Sequence, residues 1–304
     1  MNIREILSDA KKNNVPRLEC ELLLAFVLSE RREYLYSHDG RELSDVESEK
    51  FQELLQKLQN GYPLAYIIHE KEFYGRNFFV DERVLIPRPE TEEMVEEVFS
   101  FVRSFACSKL RNHETAKLRI LDLGTGSGCI PITLFLEGFT HVCASDISPE
   151  ALEVAQLNAQ RWSTSVEFRQ GDLLKPWRND EIDILIANLP YVEEGLVVGG
   201  LLTVENTNNY LETTNYRPQT TDLSSDLKYE PSLALYAGND GLDVYRELLS
   251  QLKKRKQLPE LFMFEAGMEN TSCLCELCKE ALPNISWEVK RDLGGKERFV
   301  IGKK

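Results

Sequence analysis

Apolar positions in the first 70 residues repeat at the spacing of helical faces. Ile3, Ile6 and Leu7 fall on one face of a first helix, and Pro16 precedes a second amphipathic stretch. The string Ser44-Asp45-Val46-Glu47 has the spacing of a capping box, which predicts the start of a third helix. The sequence therefore predicts a small helical domain over residues 1–70, in which no titratable cluster suggests chemistry.

Short aromatic and β-branched runs then replace the helical spacing. Tyr66-Ile67-Ile68, Phe73-Tyr74 and Phe78-Phe79-Val80 alternate with turn residues such as Gly75, a pattern that predicts a β-hairpin. We assign residues 71–89 to this hairpin as a connector between two domains.

A long amphipathic helix is predicted from Thr91, and strands and helices alternate after it. The inward positions of that helix are Val95, Val98, Phe101, Val102 and Phe105. Helices are also predicted from about Cys129 and over Pro149–Arg161, where Pro149 suits a first turn. Strands are predicted over residues 118–123, 141–145, 166–168, 182–187, 261–265, 286–290 and 298–301.

This alternation predicts the fold class. It indicates an α/β domain over residues 90–304 with a doubly wound, mostly parallel sheet of seven strands. In such a sheet the ligand binds at the carboxyl ends of the strands. Residues 195–228 carry no clear period, so we interpret them as an inserted loop of functional or disordered character.

Composition narrows the classes of partner. The chain of 304 residues has 36 Lys and Arg against 50 Asp and Glu, a net charge of −14 that is poorly suited to gripping a phosphate backbone. A polar N-terminus and seven scattered cysteines indicate a cytoplasmic protein with no membrane segment. We expect no metal site, because Cys273, Cys275 and Cys278 lack a second ligand pair.

A glycine turn follows the first strand of the α/β domain. The segment Leu121-Asp122-Leu123-Gly124-Thr125-Gly126-Ser127-Gly128 leads from strand to helix, and its glycines allow a ligand to approach the backbone. The dinucleotide pattern G-x-G-x-x-G would need a glycine at position 129, which is Cys129. Asp122 would repel a pyrophosphate, but it could help to hold a cationic ligand.

Two further acids follow the next two strands. Asp146 lies about 20 residues beyond the turn, where an acid binds ribose hydroxyls, although it could equally cap the following helix. Asp172 could accept from an adenine amino group, with Leu173 against the ring. Each alone is commonly a turn residue, but three acids in order at successive strand ends favour a shared ligand site.

This order resembles the class I S-adenosylmethionine-dependent methyltransferases. Their glycine loop and two acids match residues 124–128, Asp146 and Asp172. The resemblance implies S-adenosyl-L-methionine as the cofactor, with S-adenosyl-L-homocysteine as the product. It implies a cofactor site made of Asp122, Gly124, Thr125, Gly126, Ser127, Gly128, Asp146, Asp172, Leu173 and Asn188.

The tetrapeptide Asn188-Leu189-Pro190-Tyr191 follows the fourth strand, where the acceptor of the methyl group belongs. A planar amide nitrogen attacks a methyl group poorly because its lone pair is delocalised. Acceptors on its two N–H groups, the Asn188 side-chain oxygen and the carbonyl of Leu189 or Pro190, would favour a pyramidal nitrogen. Tyr191 would offer a flat surface, so we assign catalysis to Asn188, Pro190 and Tyr191. Alone, the tetrapeptide could be a turn that ends the strand.

Four strings narrow the resemblance to one family. They are Val84-Leu85-Ile86-Pro87-Arg88-Pro89-Glu90-Thr91-Glu92, the tetrapeptide at 188–191, Tyr229-Glu230-Pro231-Ser232-Leu233-Ala234-Leu235 and Asp292-Leu293-Gly294-Gly295-Lys296-Glu297-Arg298. Over nearly the whole chain the sequence resembles the HemK/PrmC family of release factor glutamine N5-methyltransferases.

This resemblance implies the substrate. The acceptor would be the glutamine of the Gly-Gly-Gln loop in class I peptide chain release factors, which the helical domain would help to bind. Asn188, Leu189, Pro190, Tyr191 and Arg88 would contact the substrate. Two departures stand out: Leu189 replaces the usual proline, for which we expect a slightly less rigid loop of the same geometry, and residues 195–228 are longer than usual.

Two other functions stay open from the residues alone. The same tetrapeptide chemistry would serve a methyltransferase acting on amino groups of adenine or guanine in RNA or DNA, although the acidic charge argues against it. A non-catalytic module that keeps the fold is the other alternative, which the intact motifs disfavour. We expect a monomeric enzyme.

Overall fold

A computed structural model describes residues 1–9, 15–109, 117–193 and 225–304. These residues form two compact units. Residues 1–69 and 225–229 belong to the first unit, and residues 70–193 and 230–304 belong to the second. No helix in the described ranges is long and apolar enough to cross a membrane.

The first unit is helical, as the sequence predicts. Its helices are α1 (Ile3–Asp9), α2 (Arg17–Leu28), α3 (Arg32–Ser37), α4 (Asp45–Gln59) and α5 (Leu64–Ile68). The capping box at the start of α4 is confirmed: the Glu47 N–H donates to Ser44 Oγ at 3.3 Å and the Ser44 N–H donates to Glu47 Oε2 at 2.9 Å.

One predicted strand run is wrong. Tyr66-Ile67-Ile68 lies in helix α5, which begins directly after Pro63. Proline favours the start of a helix because its φ is already set and its missing N–H is not needed there. Burial of Tyr66 and Ile67, the latter in the helical core, then overrides the strand preference of these residues.

The hairpin itself is confirmed but shorter than the runs suggested. Strands β1 (Lys71–Phe73) and β2 (Arg76–Phe78) pair antiparallel. Tyr74 and Gly75 connect them with φ angles of 53° and 69°, the left-handed pair typical of a two-residue hairpin turn.

The second unit is an α/β sheet of seven strands. Its strands are β3 (Arg119–Leu123), β4 (His141–Asp146), β5 (Glu167–Gln170), β6 (Ile184–Asn188), β7 (Leu261–Glu265), β8 (Ser286–Arg291) and β9 (Glu297–Lys303). The order across the sheet is β5-β4-β3-β6-β7-β9-β8, and only β9 runs antiparallel to its neighbours. The predicted strands are therefore confirmed to within about two residues at their ends.

Helices cover both faces of this sheet. They are α6 (Glu92–Lys109), α7 (Cys129–Leu136), α8 (Pro149–Arg161), α9 (Ser232–Leu235), α10 (Asp243–Leu252) and α11 (Thr271–Ala281). Neighbouring strand residues point to opposite faces, so Ile120 packs in the core with α6 and α7, while Leu121 packs in the core with α10 and α11. Val95, Val98 and Val102 of α6 are buried as predicted and Phe101 is half-buried, whereas the side chain of Phe105 lies outside the described part of the chain.

The strand order places a topological switch point between β3 and β6. From β3 the chain proceeds to β4 and β5 on one side, and it then returns to β6 on the other side. The carboxyl ends of β3 and β6 therefore border a crevice. The loop predicted at 195–228 lies outside the described residues apart from 225–228, which belong to a short 3₁₀ helix, Ser225–Tyr229.

Candidate active site

A cavity of about 690 Å³ lies at the carboxyl ends of the strands, within the second unit. The glycine turn after β3 and residues 188–190 after β6 both line it. This volume is in the range of pockets that hold small molecules or cofactors. The ligand site predicted at the carboxyl ends of the strands therefore coincides with a cavity next to the switch point.

The glycine turn is held by the end of β4 and packs against the tetrapeptide. The N–H groups of Gly124 and Thr125 donate to the Ser145 carbonyl at 2.9 and 3.1 Å. Gly124 has a φ of 69°, and a Cβ at this position would lie 2.9 Å from Leu189 Cδ2. A side chain at position 124 would therefore strain the turn and collide with Leu189.

Asp146 fixes the shape of the glycine turn. Its Oδ2 accepts from the Gly126 N–H and its Oδ1 accepts from the Ser148 N–H, both at 2.9 Å. Ser148, rather than Asp146, caps helix α8, because Ser148 Oγ accepts from the Ala151 N–H at 3.1 Å. Each Asp146 oxygen keeps a lone pair for a ligand, and burial raises the pKa of this carboxyl.

Asp122 lies behind the turn and not on the cavity wall. Its side chain is 1% exposed, and neither carboxylate oxygen has a hydrogen-bond partner among the described residues. Burial raises the pKa of Asp122 to about 7. The hydroxyls of Thr125 and Ser145 are also unpaired in the described chain, and both residues line the cavity. The two unpaired hydroxyls on the cavity wall suit a polar ligand that completes their hydrogen bonds.

Asp172 and Leu173 line the cavity beyond β5. Asp172 also accepts a hydrogen bond from Lys175 Nζ at 2.6 Å, an ion pair that the sequence analysis did not foresee. Both partners are more than a third exposed, so this pair contributes little to stability and does not prevent Asp172 from accepting from a ligand.

Asn188 is linked to two neighbouring elements by hydrogen bonds. Its Nδ2 donates to Thr91 Oγ1 at 3.3 Å, and Thr91 Oγ1 donates to Glu265 Oε2 at 2.8 Å. Asn188 and Glu265 are direct partners in the pairing of β6 with β7. Burial raises the pKa of Glu265 to about 7, whereas the Thr91 hydrogen bond opposes this shift.

The rest of the tetrapeptide is held from the opposite side. The Leu189 N–H donates to Tyr245 Oη at 3.4 Å, and Asn270 Nδ2 donates to the Tyr191 carbonyl at 2.9 Å. The Tyr191 ring lies over Gly267, where a Cβ would be 3.2 Å from Tyr191 Cδ2. Burial raises the pKa of Tyr191 to about 12, so its phenol stays neutral at physiological pH.

Arg88 joins two of the family strings. Its Nη2 donates to Glu230 Oε1 at 2.5 Å, and Glu230 Oε2 also accepts from the Ile86 N–H at 3.2 Å. Glu230 is buried, while Arg88 is partly exposed and lines the cavity. Glu230, in the segment before α9, therefore holds the positively charged guanidinium of Arg88 at the cavity wall.

Most of the predicted site residues meet at this cavity. Those that line it are Arg88, Gly124, Thr125, Gly126, Ser127, Asp146, Asp172, Leu173, Asn188, Leu189 and Pro190. Asp122, Gly128 and Tyr191 do not line it. A Cβ at Gly128 would lie 3.1 Å from Ala155 Cβ, so this glycine permits close packing of α7 on α8 instead of contacting a ligand.

Sequence reasoning missed Glu265 and Tyr245 and gave Thr91 no chemical role. A signal existed for Glu265, which is an acid at the carboxyl end of a strand in the same sheet. Thr91 lies in one of the four strings that carry the family resemblance. Tyr245 has no sequence signal, because a tyrosine on an amphipathic helix resembles any core residue.

Comparisons with known proteins agree with this architecture. A model of the PrmC N-terminal domain matches residues 2–68, and a model of a methyltransferase domain matches residues 114–262. The chain is 35% identical to the release factor glutamine methyltransferase of Bacillus cereus, over 92% of this chain and 90% of that protein. It is also 35% identical to the release factor glutamine methyltransferase of Koribacter versatilis, over 95% of this chain and 91% of that protein.

A solved structure shares the fold at lower identity. The hMettl16 catalytic domain in complex with MAT2A 3'UTR hairpin 6 superposes with a TM-score of 0.52, at 15% identity, over 82% of this chain and 91% of that chain. At this identity the likeness shows the fold alone.

Proposed function

The chain belongs to the family of release factor glutamine methyltransferases, and we propose that it methylates the glutamine of the Gly-Gly-Gln loop in class I peptide chain release factors. The methyl group passes from S-adenosylmethionine to the side-chain amide nitrogen, N5, of that glutamine. One observation carries the proposal: residues 188–190 of the tetrapeptide and residues 124–127 of the glycine turn line one cavity, with Leu189 packed against Gly124. A donor and an amide acceptor bound there would be neighbours.

The unsatisfied polar groups at the end of β3 and β4 fit the methyl donor. When bound, S-adenosylmethionine supplies an electrophilic methyl group on a positively charged sulfur. We assign Asp146, which holds the Gly126 N–H, to hydroxyl groups of the donor. Asp172 accepts from an amino group, with Leu173 against an aromatic ring. Asp122 lies buried behind the turn, and its carboxylate form, which predominates only above a pH of about 7, would favour a cationic ligand.

The tetrapeptide would orient the acceptor amide. The Asn188 side-chain oxygen and the carbonyl of Leu189 or Pro190 accept the two N–H bonds of the glutamine amide. This favours a pyramidal nitrogen that points its lone pair at the methyl group. A strong general base is not needed, because the nitrogen becomes acidic once it is alkylated. Tyr191 adds a flat surface beside Pro190, a role that stays a prediction because its side chain is not on the cavity wall.

The two units would divide recognition from chemistry. We propose that residues 1–70 recognise the release factor and that residues 90–304 transfer the methyl group. Residues 71–89 would connect these two domains. We place the reaction in the cytoplasm, where it would serve translation termination, and propose a monomeric enzyme without a nucleic-acid partner. The net charge of −14 supports a protein acceptor over RNA or DNA.

A labelling competition tests this function. We expect purified protein with methyl-labelled S-adenosylmethionine to label a release factor and not RNA when both are offered together. Gln→Ala in the Gly-Gly-Gln loop should abolish the label. Asn188→Ala should lower kcat on the order of a hundredfold, because a positioned acceptor is lost, while the donor Kd stays nearly unchanged. Label on RNA alone, or persistent label on the altered release factor, would contradict the proposal.

A further inference from the structure

The hydroxyl of Thr91 has a defined direction of hydrogen bonding. It carries one proton, and that proton is donated to Glu265 Oε2 at 2.8 Å. Its oxygen can then only accept from Asn188, and Asn188 Nδ2 donates to it at 3.3 Å. Thr91 is 3% exposed and Glu265 is 1% exposed, so water does not compete freely for these bonds.

This direction decides which atom Asn188 has left for a substrate. A side-chain amide has a donating nitrogen and an accepting oxygen on opposite sides, and the two can exchange places by rotation. With Nδ2 engaged by Thr91, Oδ1 is the atom that remains for the cavity, which Asn188 lines. The amide nitrogen of the substrate carries N–H groups, so it needs a hydrogen-bond acceptor on Asn188. Asn188 Nδ2 is itself a donor and would repel those N–H groups.

We propose that Thr91 and Glu265 are positioning residues, which orient the Asn188 amide so that its oxygen faces the methyl acceptor. This inference rests on the proposed function for its consequence, but the orientation itself is a property of the free protein. Glu265 is not on the cavity wall, and Thr91, which does line the cavity, has its hydroxyl engaged by Glu265 and Asn188. Both act through Asn188, and they connect the segment before α6 and the end of β7 to the chemistry at the end of β6.

The charge of Glu265 controls the direction of the hydrogen bonds that link Asn188, Thr91 and Glu265. As a carboxylate, Glu265 can only accept, so Thr91 must donate to it. When protonated, Glu265 can donate to Thr91, and Thr91 is then free to donate to Asn188 and turn its amide over. Burial raises the pKa of Glu265 to about 7, so the productive direction holds above that pH and is lost as the pH falls through it.

Several groups around Glu265 influence this titration. Arg298 and Arg88 favour the charged carboxylate, whereas Glu90 disfavours it. Tyr191 and Tyr245 also lie near enough to interact with it, and both phenols are neutral in this pH range because burial raises their pKa values. The charged and titratable groups that face Glu265 are therefore Arg298, Arg88, Glu90, Tyr191 and Tyr245.

Kinetics of three variants test the proposal with a release factor as acceptor. Thr91→Val should lower kcat on the order of tenfold to a hundredfold, while the KM for release factor and the donor Kd change less than about twofold. Thr91→Ser keeps the hydroxyl and should recover most of the lost rate. Thr133→Val makes the same exchange at a fully buried threonine of α7 away from the cavity wall, and it should leave kcat unchanged.

A pH profile separates positioning from packing. Wild-type kcat at saturating donor should fall as the pH drops through about 7, and Glu265→Gln should remove this acid limb. The pKa of Asp122 is also raised to about 7, so Asp122→Asn is the control and should retain the limb. Any one of three results would overturn the proposal. The kcat of Thr91→Val could lie within about twofold of wild type, or the rate of Thr91→Ser could be as low as that of Thr91→Val. The acid limb could also survive in Glu265→Gln.

A second readout does not depend on the acceptor. The Asn188 side-chain amide signal in ¹⁵N NMR, assigned by its absence in Asn188→Ala, should move with pH near 7 in wild type and stay fixed in Glu265→Gln. A signal that titrates equally in both proteins would overturn the positioning role. If wild type fails to label any release factor while this signal behaves as expected, the proposed function fails and the orientation of Asn188 stands.

Discussion

Leu189 shows how one residue can replace another by a different physical means. Where the family usually has proline, this chain has a residue with an N–H group, and that N–H donates to Tyr245 Oη at 3.4 Å. Tyr245 Oη also lies 3.1 Å from the Ala187 carbonyl and 2.5 Å from the Glu265 carbonyl. A hydrogen-bonded phenol therefore restrains the loop, where a proline ring would restrain it by fixing φ.

Removing this hydroxyl tests its contribution. Tyr245→Phe leaves the Leu189 N–H and two buried carbonyls without this partner, so we expect the free energy of unfolding to fall by about 1–3 kcal/mol. Urea denaturation followed by circular dichroism measures this change. Tyr34→Phe, on a half-buried ring of the first unit, should cost less than about 0.5 kcal/mol. Equal stability of Tyr245→Phe and wild type would show that the phenol does not restrain the loop.

Residues that carry chemistry in a local string were predictable, and those that act across strands were not. Gly124, Asp146 and Asn188 each stand at a strand end within a recognisable motif, and all three line the cavity. Glu265 faces Asn188 only because β6 pairs with β7 in a particular register. That pairing depends on packing over the whole sheet, which one sequence does not specify locally.

At the scale of elements, the sequence predicted strands such as β3, β6 and β7 well because each is mostly apolar and bounded by turn residues. Strand β7, predicted at 261–265, has those bounds in the structure. Helix α5 was missed because five residues are too few to display a helical period, and its aromatic and β-branched residues favour strands when read alone. Its environment in the helical core decided the outcome.

The capping box gives a prediction for helix α4. Ser44→Ala removes the oxygen that accepts from the Glu47 N–H, so we expect the first unit to lose about 1 kcal/mol of stability. Thermal unfolding measured by circular dichroism checks this loss. Ser48→Ala, one turn inside the same helix, should be neutral or slightly stabilising, because alanine has the higher helix propensity. A loss at position 48 as large as that at 44 would contradict a capping role.

At the scale of the whole molecule, the apolar cores of the two units have no residue in common. The core of the first unit draws its buried residues from positions 3–67, whereas the two cores on the faces of the sheet begin at Phe73. Each unit therefore has its own source of hydrophobic stabilisation. Every residue that lines the large cavity belongs to the second unit.

This division predicts the effect of removing residues 1–69. We expect the chain of residues 70–304 to fold and to bind S-adenosylmethionine with a Kd within about twofold of the full chain, because its core and cavity are retained. Its KM for release factor should rise on the order of tenfold or more, since the proposed recognition domain is gone. Calorimetry and labelling measure the two quantities, and an unchanged KM would remove the recognition role from the first unit.

The packing of Leu189 on Gly124 brings the proposed donor site and the proposed acceptor site into direct contact. The leucine side chain fills the space that a Cβ at Gly124 would need, so a shift of the acceptor loop presses on the donor loop. We therefore expect binding at either site to change affinity at the other, and thermodynamic linkage requires the two changes to be equal. In that case the tetrapeptide would contribute to cooperativity between donor and acceptor as well as to orientation.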